Sequence, residues 1–246
     1  MKSAAVKNSM THDLKFKSPF TCIISGLNGS GKSSFFIRFL QNFDSLCPER
    51  HFDGGITWCY SERAAVPSRQ LAVLRKHIRF IEGVPENFDE TEGGRPCLVN
   101  LDHLLNDVSS KKVCALFTKD SHHRNIRVNL ITQNLFHEGR YCRDISLIAK
   151  YLVLLRDKNQ FMHMVRQVYP EHRNSLYRAY LHATHRLQGY FILDLSQDTN
   201  DLLRFGNKVF PNERPPIIYA PVGDDEASEI ELSYSPRAED GQTQPV

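Results

Sequence analysis

Gly26-Leu27-Asn28-Gly29-Ser30-Gly31-Lys32-Ser33 has the spacing G-x-x-x-x-G-K-[ST], and what flanks it decides how it is read. Ahead of it, Phe20 to Ser25 (FTCIIS) is a short apolar run rich in β-branched residues. Behind it, Phe35, Phe36, Phe39, Leu40 and Phe43 recur at helical spacing along Lys32 to Asn42. The order is therefore strand, glycine loop, helix. Gly26, Gly29 and Gly31 allow φ > 0, which turns backbone N–H groups inward on anionic oxygens. A helix N-terminus opening at Lys32 adds its dipole to that anion site. The string is a cradle for nucleotide phosphates, formed by Gly26, Leu27, Asn28, Gly29, Ser30, Gly31, Lys32, Ser33 and Ser34. Lys32, expected to be exposed until phosphate arrives, brings charge to the β- and γ-phosphates; the Ser33 hydroxyl ligates Mg²⁺. ATP and Mg²⁺ are the implied cofactors.

Working outward, Gly55–Tyr60, Ile78–Ile81, Cys97–Leu101, Ile126–Thr132, Tyr151–Leu155 and Gly189–Leu195 read as strands. Ser68–Lys76, Ser109–Lys119, Asn159–Val168 and Glu171–Thr184 read as helices, the last two split by Pro170. Alternating strands and helices imply one α/β domain, a mostly parallel sheet with helices on both faces. Residues 1–17 form a polar, lysine-bearing arm, 18–222 the P-loop domain, and 223–246 an acidic tail left disordered.

A phosphate loop needs a second Mg²⁺ contact, normally an Asp closing a buried strand. Leu98-Val99-Asn100-Leu101-Asp102 offers one, although Asp102 also suits the N-cap of a following helix. The next position, where ATPases with an extra central strand usually carry a water-activating acid, is His103. Neutral imidazole is a competent base near pH 7; Asp107 is the other candidate. Thr132-Gln133-Asn134 ends the neighbouring strand, and Gln133 suits a γ-phosphate or water contact as well as a plain turn. Arg124, Arg140 and Arg143 are candidates for an arginine finger offered to a neighbouring subunit, or ordinary surface residues.

Composition excludes other classes. The 246 residues hold no apolar run near the ~18 a membrane span needs. Six cysteines without CxxC spacing read as reduced thiols, against both a disulfide framework and a zinc site. Net charge is +3, but Gly223–Val246 carries seven acids and one base, leaving +9 on residues 1–222. A basic body suits a polyanionic partner. A GTPase is disfavoured: Asn207-Lys208-Val209-Phe210 lacks the acid of the guanine-reading NKxD run.

GLNGSGKSSFFIRFL, LVNLDHLLND and LFTKDSHHRNIRVNLITQNLFHEGRYCRDISLIAKYLVLLRD together resemble the DNA-packaging ATPases of polinton and adintovirus elements. Those belong with the poxvirus-type packaging enzymes of the FtsK/HerA superfamily. The resemblance spans roughly Pro19 to Pro216. It implies an additional-strand (ASCE, RecA-like) core, a homo-oligomeric ring, and translocation of double-stranded DNA into a capsid through its vertex protein. It also implies residence inside the host nucleus or cytoplasm or in the virion. Lys32 and Ser33 then match the Walker A residues, Asp102 the Walker B aspartate and Gln133 the strand-end sensor; His103 departs from the family's acid. Two rivals remain. A nucleoside or small-molecule kinase would use Arg166, Arg173, Arg178 and Arg186 as a lid, and a weakly hydrolysing ATP-binding ring component is suggested by His103.

Overall fold

A computed structural model describes residues 15–47, 55–61, 71, 78–85, 97–102, 104, 111–121, 126–136, 145–213 and 215–221. The apolar run before the glycine loop is strand β1 (Thr21–Ser25), and the phenylalanine-rich stretch after it is helix α1 (Lys32–Gln41), followed by the short α2 (Phe43–Leu46). Strands β2 (Ile56–Tyr60), β3 (Ile78–Glu82) and β4 (Cys97–Asp102) precede α3 (Lys111–Ala115), which runs on as a π-helical turn over Leu116–Asp120. Then come β5 (Ile126–Thr132), β6 (Tyr151–Leu154), α4 (Lys158–Val168), α5 (Arg173–Thr184) and β7 (Phe191–Asp194). The expected helix at 68–76 lies outside the described residues except for Leu71.

Two strands had no counterpart in the sequence reading, β8 (Phe205–Asn207) and β9 (Ile217–Ile218). At this length neither completes a period of hydrophobic alternation. They extend the sheet beyond the antiparallel β6–β7 pair by antiparallel pairing of β7 with β8 and β8 with β9.

Among the described residues the sheet has nine strands in the order β3-β2-β4-β5-β1-β6-β7-β8-β9, and the first six are parallel. Strand β5 lies between β1, which feeds the phosphate loop, and β4, which ends on Asp102. This is the additional-strand arrangement of a P-loop NTPase fold. Register pairs Ser25 with Thr132 and with Leu154, so the carboxyl ends of β1, β5 and β6 finish level. A ligand site in an open parallel sheet forms at that edge.

Two cores sandwich the sheet. Along β1, Ile23 faces one with α4 and α5, while Cys22 and Ile24 face the other with α1 and α2. Phe16, assigned to the arm by sequence, is 2 % exposed and packs on Phe20, Phe39 and Tyr151, so the core begins before residue 18. Cys22, Cys47, Cys59 and Cys97 are buried, and burial pushes the Cys59 thiol up to about 12. Among the described residues no helix is long and apolar enough to cross a membrane.

With both faces covered, the polar alternates of β4 and β5 are buried as well. Asn129 Nδ2 donates to Asn100 Oδ1 at 2.6 Å across the register pair of the two strands. Removing one partner strands a buried carbonyl, whereas replacing both with apolar groups of similar shape is close to neutral. Asn129→Leu should therefore destabilise by about 1–3 kcal/mol, and adding Asn100→Leu should recover most of that. Urea unfolding of the two single variants and the double variant checks this; additive losses would contradict it.

Candidate nucleotide-binding site

The loop between β1 and α1 is built as a cradle. Gly29 and Gly31 have φ of 73° and 100°, conformations that side chains with a Cβ resist. Gly26, expected to need positive φ, does not adopt it, and its constraint is close approach. A Cβ there would lie 2.9 Å from Leu155 Cβ and 2.8 Å from Ser30 Oγ. Gly31 is also the N-cap of α1, so no side chain satisfies the first N–H groups of that helix. Helix α4 shows the contrast, since Asp157 accepts from Gln160 N at its own N-terminus. Uncapped N–H groups and a helix dipole at α1 favour a phosphate.

Lys32 is 5 % exposed, not exposed as the sequence suggested. Its Nζ donates to the carbonyls of Gly26 at 2.9 Å and Leu27 at 3.0 Å, folding the side chain back over its own loop. Burial lowers its pKa, opposed by attraction to Asp102 and Asp157. Phosphate oxygens arriving at the loop offer this ammonium stronger partners than carbonyls. Ser33 follows as the second residue of α1 and is half-buried.

Asp102 ends β4 on the same face of the sheet as α1, 3 % exposed, with Trp58 Nε1 donating to its Oδ2 at 3.3 Å. Burial pushes its carboxyl up to about 6, against the pull of the Trp58 hydrogen bond and Lys32. Ser33 and Asp102 offer a hydroxyl and a carboxylate, hard oxygens that fit Mg²⁺. No three His, Cys, Asp or Glu side chains form a cage among the described residues. Mg²⁺ takes one or two protein oxygens and completes its shell with phosphate and water.

Gln133 stands exposed one residue past β5. Its loop is held by a residue the sequence reading did not select, Gln160. Gln160 Nε2 donates to the Gln133 carbonyl at 2.6 Å and to the Asp157 carboxylate. Its Oε1 accepts from Ser25 Oγ at 2.7 Å and from Leu135 N at 2.6 Å. One carboxamide thus ties the ends of β1 and β5 to the start of α4. The available signal was Asp157-x-x-Gln160, the spacing of a capping box. His103, Asp107, Arg124, Arg140 and Arg143 lie outside the described residues.

No protein-family model matches the chain, and no curated protein matches it. Among solved structures, the chain is similar to the genome-packaging NTPase B204 from Sulfolobus turreted icosahedral virus 2 in complex with sulfate. That likeness has 13% identity and a TM-score of 0.47, over 82% of this chain and 97% of that one. B204, the DNA-packaging ATPase from Sulfolobus Turreted Icosahedral Virus, gives 13% identity and 0.46 over 87% and 100%. The flagellar accessory protein FlaH from Methanocaldococcus jannaschii gives 15% and 0.40 over 56% and 71%. These likenesses are distant, and the fold assignment stands on strand order and loop geometry.

The raised Asp102 carboxyl has a stability consequence. Its folded pKa of about 6 exceeds the ~3.9 of an unfolded chain, so the folded state binds the proton more tightly. Stability is greatest below about pH 4, falls as pH rises through about 6, and the loss is complete above it. Asp102→Asn should therefore stabilise the ligand-free protein at pH 7.5, by up to about 3 kcal/mol for a two-unit gap. The gain should vanish at pH 4, and Mg²⁺-dependent nucleotide binding should weaken. Calorimetric melting of both proteins at the two pH values checks it; equal midpoints at pH 7.5 would contradict it.

Proposed function

We propose that the chain is an ATPase that uses ATP hydrolysis to move double-stranded DNA, in the manner of viral genome-packaging motors. The observation that carries the ATPase part is the pairing of buried opposites at one sheet edge. The ammonium of Lys32 sits on the phosphate loop, and the carboxylate of Asp102 stands on the far side of β5, close enough to act on its charge. Lys32 and the N-terminus of α1 hold the β- and γ-phosphates. Ser33 and Asp102 would hold Mg²⁺, which when bound would neutralise charge on the phosphates. Gln133 orients the attacking water, with His103 or Asp107 accepting its proton. An arginine from a neighbouring copy, Arg124, Arg140 or Arg143, completes the site in a ring.

The DNA part rests on the resemblance of the SHHRN…ITQN region and on charge. A groove of about 880 Å³ between α4 and α5 is lined by Lys158, His163, Arg166 and Arg173. Lys158 also lies over the Tyr177 ring at 5.2 Å. Basic groups beside an aromatic suit a nucleic-acid backbone. A capsid vertex protein and a place in the host cell or virion follow from the same resemblance. The kinase alternative needs the late arginines gathered as one lid. Arg166 and Arg173 line this groove, whereas Arg186 lines a different cavity beside Gly31.

Lys32→Ala should abolish ATP hydrolysis, and double-stranded DNA should stimulate the parental enzyme. Phosphate release with and without DNA checks both; phosphorylation of a nucleoside without DNA would favour the kinase.

His103 separates the motor from a weakly hydrolysing ring component. If it is the base, His103→Ala should lower turnover ~10²–10⁴-fold, with the rate falling below a pKa near ~6.5. If Asp107 is the base, that loss follows Asp107→Asn. In a weak hydrolase, His103→Glu should raise turnover at saturating Mg²⁺. Three silent variants would refute this placement of the base.

A further inference from the structure

Beside the phosphate loop lies a cavity of about 430 Å³ that the chemistry above does not use. Its walls come from the connection between α5 and β7, from Asn207 and Lys208 at the end of β8, and from Arg38 of α1. Gln188 joins it to the loop, since a Cβ built on Gly31 would fall 2.8 Å from Gln188 Cγ.

Three features mark it as a built site. Among the described residues, Gln188 and Lys208 are the non-glycine residues with left-handed backbone, at φ of 56° and 57°, and both line this cavity. Such strained backbone persists where its surroundings enforce it, and it clusters at ligand clamps. Asn207 is 6 % exposed, and among the described residues its Oδ1 has no hydrogen-bond partner. Buried amide oxygens are rarely left unpaired. Leu187 is 92 % exposed while lining the same cavity, an apolar surface for a flat ring. Among the described lining residues the one acid, Glu213, is already engaged by Arg38 at 3.0 Å and by the Tyr190 hydroxyl.

We propose that this cavity takes the base of the nucleotide whose phosphates sit on Gly26–Ser33, and that Asn207 reads that base as adenine. The proposal rests on the phosphate-loop reading above. An asparagine carboxamide matches the adenine edge in both senses: Oδ1 accepts from the 6-amino group, and Nδ2 donates to N7. The terminal torsion of asparagine is soft, so the carboxamide can turn both ends to a base. Hypoxanthine and guanine place a carbonyl at position 6 beside N7, two acceptors that no single orientation of the amide can pair. Phe210, wholly buried, stands where the acid of a guanine-reading run would be.

The test is calorimetric titration of ATP, inosine triphosphate and tripolyphosphate, each with Mg²⁺, into the full chain and into Asn207→Leu. The parental protein should bind ATP more tightly than inosine triphosphate by roughly 5- to 150-fold, the worth of one bidentate base contact. Asn207→Leu should bind the two nucleotides alike, with tripolyphosphate affinity unchanged. Equal binding of all three by the parental protein would overturn the cavity and leave the phosphate loop standing. A preference for ATP that survived in Asn207→Leu would overturn Asn207 as the reader. Absence of binding by any of the three would take down the ATPase reading itself. Should Asn207→Leu fail to fold, Gln188→Gly, which relaxes the left-handed backbone, is titrated instead. It should lose part of the margin of ATP over tripolyphosphate, and an unchanged margin would overturn the proposal.

Discussion

A buried ammonium resting on two carbonyls of its own loop is the interaction around which this molecule is organised. Lys32 reaches back to Gly26 and Leu27, and that posture requires the chain to leave β1, turn tightly and enter α1 within a few residues. The level carboxyl ends of β1, β5 and β6 follow from the same demand, because only a parallel sheet gathers several strand ends at one helix N-terminus. Inserting β5 between β1 and β4 sets Asp102 one strand away from the loop, leaving the tip of β5 free to carry Gln133 between them.

The two faces of the sheet are chemically unequal. The side with α4 and α5 is dominated by apolar packing, including the stacked rings of Phe161 and Tyr180 at 4.1 Å. The side with α1 buries Asn100, Asp102, Arg127 and Asn129 among its phenylalanines. Burying that much polarity is unfavourable unless it is paired. A carboxyl held near the point of neutrality is a local conflict of the kind found where a fold gives up stability to chemistry.

Local features were legible in the sequence, and long-range ones were not. The phosphate loop is a contiguous string whose chemistry follows from glycine, lysine and serine at fixed offsets, and the Asp102 strand is an apolar run closing on an acid. Both could be read because each lies within one stretch of chain. Gln160 was legible only in part: Asp157-x-x-Gln160 announces a cap, whereas its partners Ser25, Gln133 and Leu135 come from two other segments. The cavity at Asn207 is assembled from α1, the turn after α5 and the end of β8, and no spacing announces it. The exposure of Lys32 was misread for a related reason: the motif specifies where the lysine acts, and only the folded loop shows where it rests without phosphate.

The margins of the sheet deserve the same physical reading as its centre. Among the described residues the nine strands do not close on themselves, and sheet edges invite other chains to add on. On one side the final strand is only Ile217–Ile218, and Pro215 and Pro216 immediately before it have no N–H to offer a ladder. On the other, β3 sets the exposed charges of Arg79 and Glu82 along its length. Short, proline-led and charged borders offer little purchase to a strand from another chain.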